Sequence, residues 1–100
     1  AMLLDLSVAG ARLGLGPGLA FRVHQDDSLE MRFHLPEEER EMRIFGVVRG
    51  LRLTDQQICC SVRFDEETTV DYAGQSECIA DYIERRRRRL LARGPSGGAA

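Results

Sequence analysis

A period-two alternation of apolar and polar residues places the strongest constraint on the fold of this chain. It is clearest between Leu29 and Leu35, where every second residue is apolar and those between are charged or polar. Successive side chains of a β-strand point to opposite faces, so the pattern predicts a strand with one buried face. The same reasoning predicts further strands over residues 2–6, 11–15, 42–53 and 58–64, and a short extended piece over 19–23.

The last third of the chain has a helical pattern instead. From about residue 75 to residue 92 the apolar residues recur at helical spacing, and Ile79 and Ile83 lie four apart on one face. Asp71 or Ser76 is expected to cap the start of this helix.

Glycine and proline are expected to end the helix. Gly94 and Pro95 are residues that typically follow a last helical turn. The composition of residues 94–100 is Gly, Pro, Ser and Ala only, which predicts a disordered tail.

This order of elements predicts a mainly β fold. A chain of 100 residues has the length of one domain. About five or six strands followed by one helix favour a small antiparallel β-barrel that the C-terminal helix closes at one end. We therefore expect a single domain over residues 1–93.

The charge of the chain is unevenly distributed. The net charge is −2, and all 14 basic residues are arginines, five of them at residues 85–89. Such a run is typical of a solvated helix end and also of a nucleic-acid patch. No aromatic residues interleave with the run and the rest of the chain is acidic, so we expect no nucleic-acid partner.

Several other classes of function lack a signal. The three cysteines have no C-x-x-C spacing, and His24 and His34 lie ten residues apart, so no metal site or disulfide is expected. No catalytic constellation is evident, which argues against an enzyme. The chain has no apolar run of membrane-spanning length and no signal peptide, so we expect a soluble, cytoplasmic protein.

One short motif carries chemistry. Residues 5–10 read D-L-S-V-A-G, which fits D-x-S-x-x-G and stands where the first predicted strand turns into the second. Asp5 could accept hydrogen bonds from the N–H groups of a ligand, Ser7 offers a hydroxyl, and Gly10 lets a ligand approach the backbone. Alternatively, the motif is only a turn, in which Asp and Ser cap the backbone and Gly supplies a positive φ.

The motif and its setting resemble the PilZ family of bacterial domains. A hydrophobic strand runs into the motif, alternating residues follow it, and further strands lead into an arginine-rich helix. The stretch from Ser61 to Asp65 and the helix after it also resemble the end of a PilZ domain. This resemblance covers nearly all of residues 2–93 and implies a small β-barrel with a C-terminal helix.

The resemblance implies a receptor for cyclic di-GMP. The implied ligand-binding residues are Asp5, Ser7 and Gly10, and we add Arg12, an arginine near them. In the family an R-x-x-x-R motif before the first strand holds the phosphates, and here only residues 1–4 precede Asp5. Either the sequence starts after those arginines or the domain is degenerate, and binding by this chain should be weak.

Two functions therefore remain open. The chain is a cyclic di-GMP sensor that regulates motility or exopolysaccharide output, or an adaptor domain that has lost the ligand and docks a protein partner. Self-association through an open strand edge belongs to the second hypothesis. An R-x-x-x-R motif encoded upstream of Met2 would favour the sensor. No cofactor is expected.

Overall fold

β-Strands dominate the chain up to residue 64. The computed structural model describes the backbone of residues 2–54 and 57–99, with side chains described for the same residues except Ala20 and those beyond Leu91. The five strands are β1 (Met2–Leu6), β2 (Gly10–Leu15), β3 (Ser28–His34), β4 (Glu41–Leu53) and β5 (Ile58–Phe64), and the helices are α1 (Pro17–Ala20) and α2 (Tyr72–Ala99).

The strands form one antiparallel sheet in the order β1-β2-β5-β4-β3. This sheet curls into a half-barrel, with α2 as the one long helix. The mainly β fold with a C-terminal helix is therefore confirmed. β1 and β3 stand at the two ends of the order, so each is hydrogen-bonded to one neighbouring strand only.

The inner face of the half-barrel holds the core, as the alternation predicts. Met31, Leu35, Val62 and Phe64 are buried at the expected inward positions. Leu53 is an exception, because it lies at the far end of β4 and is 79% exposed. The largest fully buried side chains are those of Met42, Ile44, Val48, Cys60 and Ile79.

An irregularity bends the longest strand. The pairing of β4 with β5 shifts between Val48 and Gly50, which leaves Arg49 without a directly opposed residue. A bulge of this kind bends a strand, and closing a small curved sheet needs such bends. Gly46 keeps regular pairing but packs so tightly that a Cβ there would overlap Val62.

The pairing of β4 with β5 starts at Gly46. For the residues of β4 before it, the side chains of Thr69 and Gln75 bind the backbone groups instead. Phe45 N–H donates to Thr69 Oγ1 at 3.0 Å. Gln75 accepts from Arg43 N–H at 2.6 Å and donates to the Arg43 carbonyl at 2.9 Å. Thr69 and Gln75 are both buried, so these bonds attach the start of the helix firmly to the sheet.

The N-terminus of α2 lies a few residues earlier than the sequence predicts. Asp71 Oδ1 accepts from the Gly74 N–H at 3.3 Å, so Asp71, one of the two expected caps, occupies the cap position. The fully buried Ile79 confirms the predicted inward face, and Ile83 is partly buried.

The extended piece predicted over 19–23 is wrong, because Pro17–Ala20 forms α1 and a turn follows at Phe21 and Arg22. Proline is favoured at the first position of a helix, where its missing N–H costs nothing. α2 extends to Ala99, past the end that Gly94 and Pro95 predict. The disordered tail predicted over 94–100 falls where side chains are not described and stays a prediction.

Across the part of the chain that the structure describes, no helix combines the length and apolar character that crossing a bilayer requires.

Candidate functional site

The D-x-S-x-x-G motif forms the turn between β1 and β2. Ser7 N–H donates to the Gly10 carbonyl at 2.9 Å. The Ser7 hydroxyl accepts from Ala9 N–H at 3.3 Å and Gly10 N–H at 3.2 Å, and donates to the Gly10 carbonyl at 3.2 Å. One donor and two acceptor sites are all that a hydroxyl has, so Ser7 is fully used by the turn.

Gly10 is required by packing rather than by an unusual backbone angle. No glycine in the described ranges has a positive φ, so that part of the turn interpretation is wrong. Gly10 pairs with Arg63 of β5, and a Cβ on Gly10 would overlap the carbonyl oxygen of Val62. The absent side chain therefore serves the close approach of β2 to β5.

Asp5 and Arg12 bind each other across the β1–β2 pair. Arg12 Nη2 donates to Asp5 Oδ2 at 2.8 Å, and Leu6 N–H donates to Asp5 Oδ1 at 2.9 Å. The hydrogen bond from Arg12, then the one from Leu6, lowers the pKa of Asp5 below its usual 3.8. Desolvation opposes this effect, and the positive charges of Arg12 and Arg86 add to it.

All four residues predicted to bind a ligand line one surface cavity of about 480 Å³, which we call the motif pocket. Its volume falls in the range of small-molecule sites. The pocket also contains Arg49, Ser61 and Arg63, which were not identified from the sequence.

Strand pairing explains why these residues meet. Asp5 pairs with Arg12, Arg12 pairs with Ser61, and Ser61 pairs with Gly50, so one row crosses four strands. Arg49 adjoins this row at the irregularity of β4. The polar row lies opposite the buried face of the same strands, since side chains alternate along each strand.

The motif pocket contains more positive than negative charge. Its three guanidinium groups, those of Arg12, Arg49 and Arg63, share the pocket with one carboxylate, Asp5. Arg12 is already bound to Asp5, and Arg49 Nη1 lies 3.8 Å from Asp26 Oδ1. Arg63 forms no ion pair with any described residue, so it is the guanidinium most available to an anion.

A second, larger cavity lies between the edge of β1 and residues 82–91 of α2. We call it the edge groove; its volume is about 770 Å³. Residues 3–6 of β1 form one wall and residues 34–36, at the end of β3, form another. The helix contributes Tyr82, Ile83, Arg86, Arg87, Leu90 and Leu91. Asp5 lines both cavities.

The arginine run of α2 divides into paired and unpaired members. Arg85, Arg88 and Arg89 form ion pairs with Glu38, Glu84 and Glu37 at 3.2–3.5 Å. No ion pair to Arg86 or Arg87 occurs among the described side chains. These two are the arginines of the run that line the edge groove.

Within residues 2–54 and 57–99, no group of three or more His, Cys, Asp or Glu is placed to hold a metal ion. Cys60 is fully buried in the core, and burial raises the pKa of its thiol. A raised pKa disfavours the thiolate, which is the reactive form.

No protein-family model, curated protein or solved structure matches this chain.

Proposed function

We propose that this domain binds cyclic di-GMP in the motif pocket and acts as a PilZ-type sensor rather than as an enzyme. The observation that carries the proposal is the grouping of Asp5, Ser7, Gly10 and Arg12 with two further arginines around one cavity. The ligand joins two anionic phosphates to two guanines, so its receptor needs both cations and hydrogen-bond acceptors.

The phosphates are assigned to the arginines of the pocket. Arg63 is the principal contact, because it has no carboxylate partner among the described residues, and Arg49 is the second, because its separation from Asp26 is long. A guanidinium and a phosphate oxygen form charge-assisted hydrogen bonds, which are among the strongest available to a protein. These positions would replace, in part, the family's R-x-x-x-R arm.

Asp5 is assigned to a guanine edge. Its two oxygens together have about four acceptor positions, of which Leu6 N–H and Arg12 occupy two. The hydrogen bonds from Arg12 and Leu6 lower the pKa of Asp5, so they favour the ionised carboxylate, which only accepts hydrogen bonds. Ser7 and Gly10 shape the turn that holds Asp5 in place, since their own contacts are internal.

We expect weak binding, for a reason that the pocket itself provides. A guanine must compete with Arg12 for the Asp5 carboxylate. A phosphate must compete with Asp26 for the Arg49 guanidinium. Each competing internal ion pair lowers the gain from a contact with phosphate.

Isothermal titration calorimetry with cyclic di-GMP at low salt tests the proposal. We expect Arg63→Gln to weaken binding by about tenfold or more, because a charged hydrogen-bond partner is lost. Arg32→Gln is the matched control, since Arg32 is exposed on β3 and lies outside the motif pocket. No heat of binding in the wild type, or equal losses in both variants, would contradict the proposal.

A second function is an adaptor domain that binds a protein partner and no nucleotide. The internal hydrogen bonds of Ser7 favour it, because they account for the motif as a turn without any ligand. Calorimetry separates the two functions directly: the adaptor predicts no cyclic di-GMP binding, even at low salt. Motility and exopolysaccharide output remain proposals that belong to the sensor alone.

A further inference from the structure

We propose that the edge groove binds an extended, acidic segment of a partner protein, which adds a strand to the free edge of β1. This proposal is independent of nucleotide binding in the motif pocket. It uses three features of the groove: the outer edge of β1, an apolar surface and two arginines that form no ion pair with any described side chain.

The strand edge supplies hydrogen-bonding groups. β1 pairs with β2 on one side only, and residues 3–6 of β1 line the groove. An edge strand presents its outward N–H and C=O groups to an extended chain that approaches. In β1 the Leu6 N–H already donates to Asp5 Oδ1 and the pairing shifts between Leu3 and Asp5, so the remaining groups of residues 3–6 are the ones a partner would use. Recognition of this kind takes affinity from main-chain hydrogen bonds and specificity from pockets for alternate side chains.

The apolar surface of the groove gives those alternate side chains a place to pack. Leu3 and Leu4 are each 40% exposed, and Leu90 and Leu91 on the opposite wall are 57% and 59% exposed. Leucines so exposed on both sides of one concave surface are typical of an interaction site. A partner strand that places apolar residues here would remove them from water.

The charges of the groove select an acidic partner. Arg86 and Arg87 line it and form no ion pair with any described side chain. Asp5 is the one acidic residue of the lining, and Arg12 already binds it. A carboxylate of the partner beside Arg86 or Arg87 would therefore find an unshared guanidinium.

A second copy of this chain fits the groove less well. Pairing β1 with the β1 of another molecule would bring Arg86 and Arg87 of both copies together, and like charges repel. The sequence of β1, Met-Leu-Leu-Asp-Leu, contributes one carboxylate, which Arg12 occupies. Nucleic acid would satisfy the arginines, but its sugar-phosphate backbone leaves the exposed leucines without apolar partners.

Fluorescence anisotropy with synthetic peptides tests the proposal. The probe is fluorescein-labelled Glu-Val-Glu-Leu-Glu-Val-Glu, whose alternation places apolar and acidic side chains on opposite faces of a strand. Two control peptides replace Glu by Lys, or carry N-methyl groups on alternate backbone nitrogens. We expect saturable binding of the acidic probe, no binding of the Lys peptide, and about tenfold weaker binding of the N-methylated peptide.

Charge-reversal variants locate the site. The double variant Arg86→Glu with Arg87→Glu should weaken probe binding by about tenfold or more, whereas the control Arg88→Glu should change it by less than about twofold. Arg88 lies on the same helix but outside the groove lining. Amide hydrogen exchange of the wild type should slow at residues 3–6 when the probe is added.

Four results would overturn the proposal. They are no binding of the acidic probe, equal binding of the Lys peptide, equal losses in the double variant and in Arg88→Glu, or no loss on N-methylation. If sedimentation velocity shows a concentration-dependent dimer that does not bind the probe, the occupant of the groove is a second copy of this chain and not an acidic segment of another protein. If oligothymidylate binds and the double variant weakens that binding, while no peptide binds, the occupant of the groove is nucleic acid.

Discussion

The Asp5 carboxylate and the Arg12 guanidinium are joined by a hydrogen bond of 2.8 Å across the β1–β2 pair. Both residues were predicted to contact a ligand, yet each is the other's partner in the free protein. Their side chains are about 60% exposed, at 58% for Asp5 and 60% for Arg12, so the pair is screened by water and open to competition. A ligand of the motif pocket must therefore exchange contacts with this ion pair.

The first prediction concerns the pKa of Asp5. Replacing Arg12 by Gln removes the largest cause of the lowered value, so the pKa of Asp5 should rise toward its usual 3.8. Carbon-detected NMR titration of the carboxyl group measures it. Arg86→Gln should cause a smaller rise, because Arg86 acts through charge alone. An unchanged Asp5 pKa in Arg12→Gln would mean that the pair does not persist in solution.

The second prediction concerns Gly10. A methyl group at this position would overlap the Val62 carbonyl oxygen, so β2 and β5 would have to separate. Gly10→Ala should lower the free energy of unfolding by about 1–3 kcal/mol, as overpacking usually does. Urea denaturation followed by circular dichroism provides the measurement.

Gly18→Ala is the matched control for Gly10→Ala. A Cβ on Gly18 has no neighbour within 4 Å, and the residue lies in α1, where alanine is the better helix former. We expect no loss of stability there. Equal stability of Gly10→Ala and the wild type would exclude the packing explanation. Access of a ligand to the backbone would then be the remaining role of Gly10.

The sequence was sufficient to predict the strands, because the period of two is a local property. The predicted strand over 58–64 has the bounds found for β5, and those over 42–53 and 11–15 each start one residue late. The helix α1 was missed, although Pro17 at its start is a signal for a helix N-terminus.

The candidate site was only half predictable, for a physical reason. Asp5, Ser7, Gly10 and Arg12 are close in sequence, and a turn brings them together. Arg49 and Arg63 join them because β5 pairs with both β2 and β4, and this strand order depends on long-range packing. The period-two pattern alone predicts that Arg49 and Arg63 lie on the outer face of the sheet, but it does not predict that they lie beside the motif.

The third prediction concerns acid stability and Asp71. The hydrogen bond from Arg40 at 2.6 Å is the largest cause that lowers the pKa of Asp71 below 3.8, and the Gly74 N–H adds to it. The folded state binds this proton less readily than the unfolded state does. Its contribution to stability is therefore present above about pH 3.8 and is lost as the pH falls through the folded pKa.

Asp71→Asn separates this titration from the capping role. Asn also caps helices and tolerates the positive φ of 51° found at this residue, so the turn should survive. In thermal unfolding from pH 6 to about pH 2, we expect the variant to lose less stability than the wild type below about pH 4. Parallel curves for the two proteins would show that Asp71 has the same pKa when folded and unfolded.

The last prediction concerns Gln75, the buried amide that joins α2 to β4. Its side chain accepts from Arg43 N–H and donates to the Arg43 carbonyl, and also to the carbonyl of Val70. Gln75→Leu keeps a side chain of similar size but leaves these backbone groups without partners. Each buried polar group left unpaired costs about 1–3 kcal/mol, which is a large part of a small domain's stability.

Glu77→Leu introduces the same residue at an exposed position of the same helix and should change the free energy of unfolding by only about 0.5 kcal/mol. Urea denaturation of both variants gives the comparison, and hydrogen exchange at the amide of residue 43 reports the lost contact directly. Because Arg86 and Arg87 reach the edge groove only while α2 stays docked, Gln75→Leu should also weaken binding of the acidic probe. If Gln75→Leu is as stable as Glu77→Leu, water must replace the amide at this junction, and the helix is held by its apolar contacts alone.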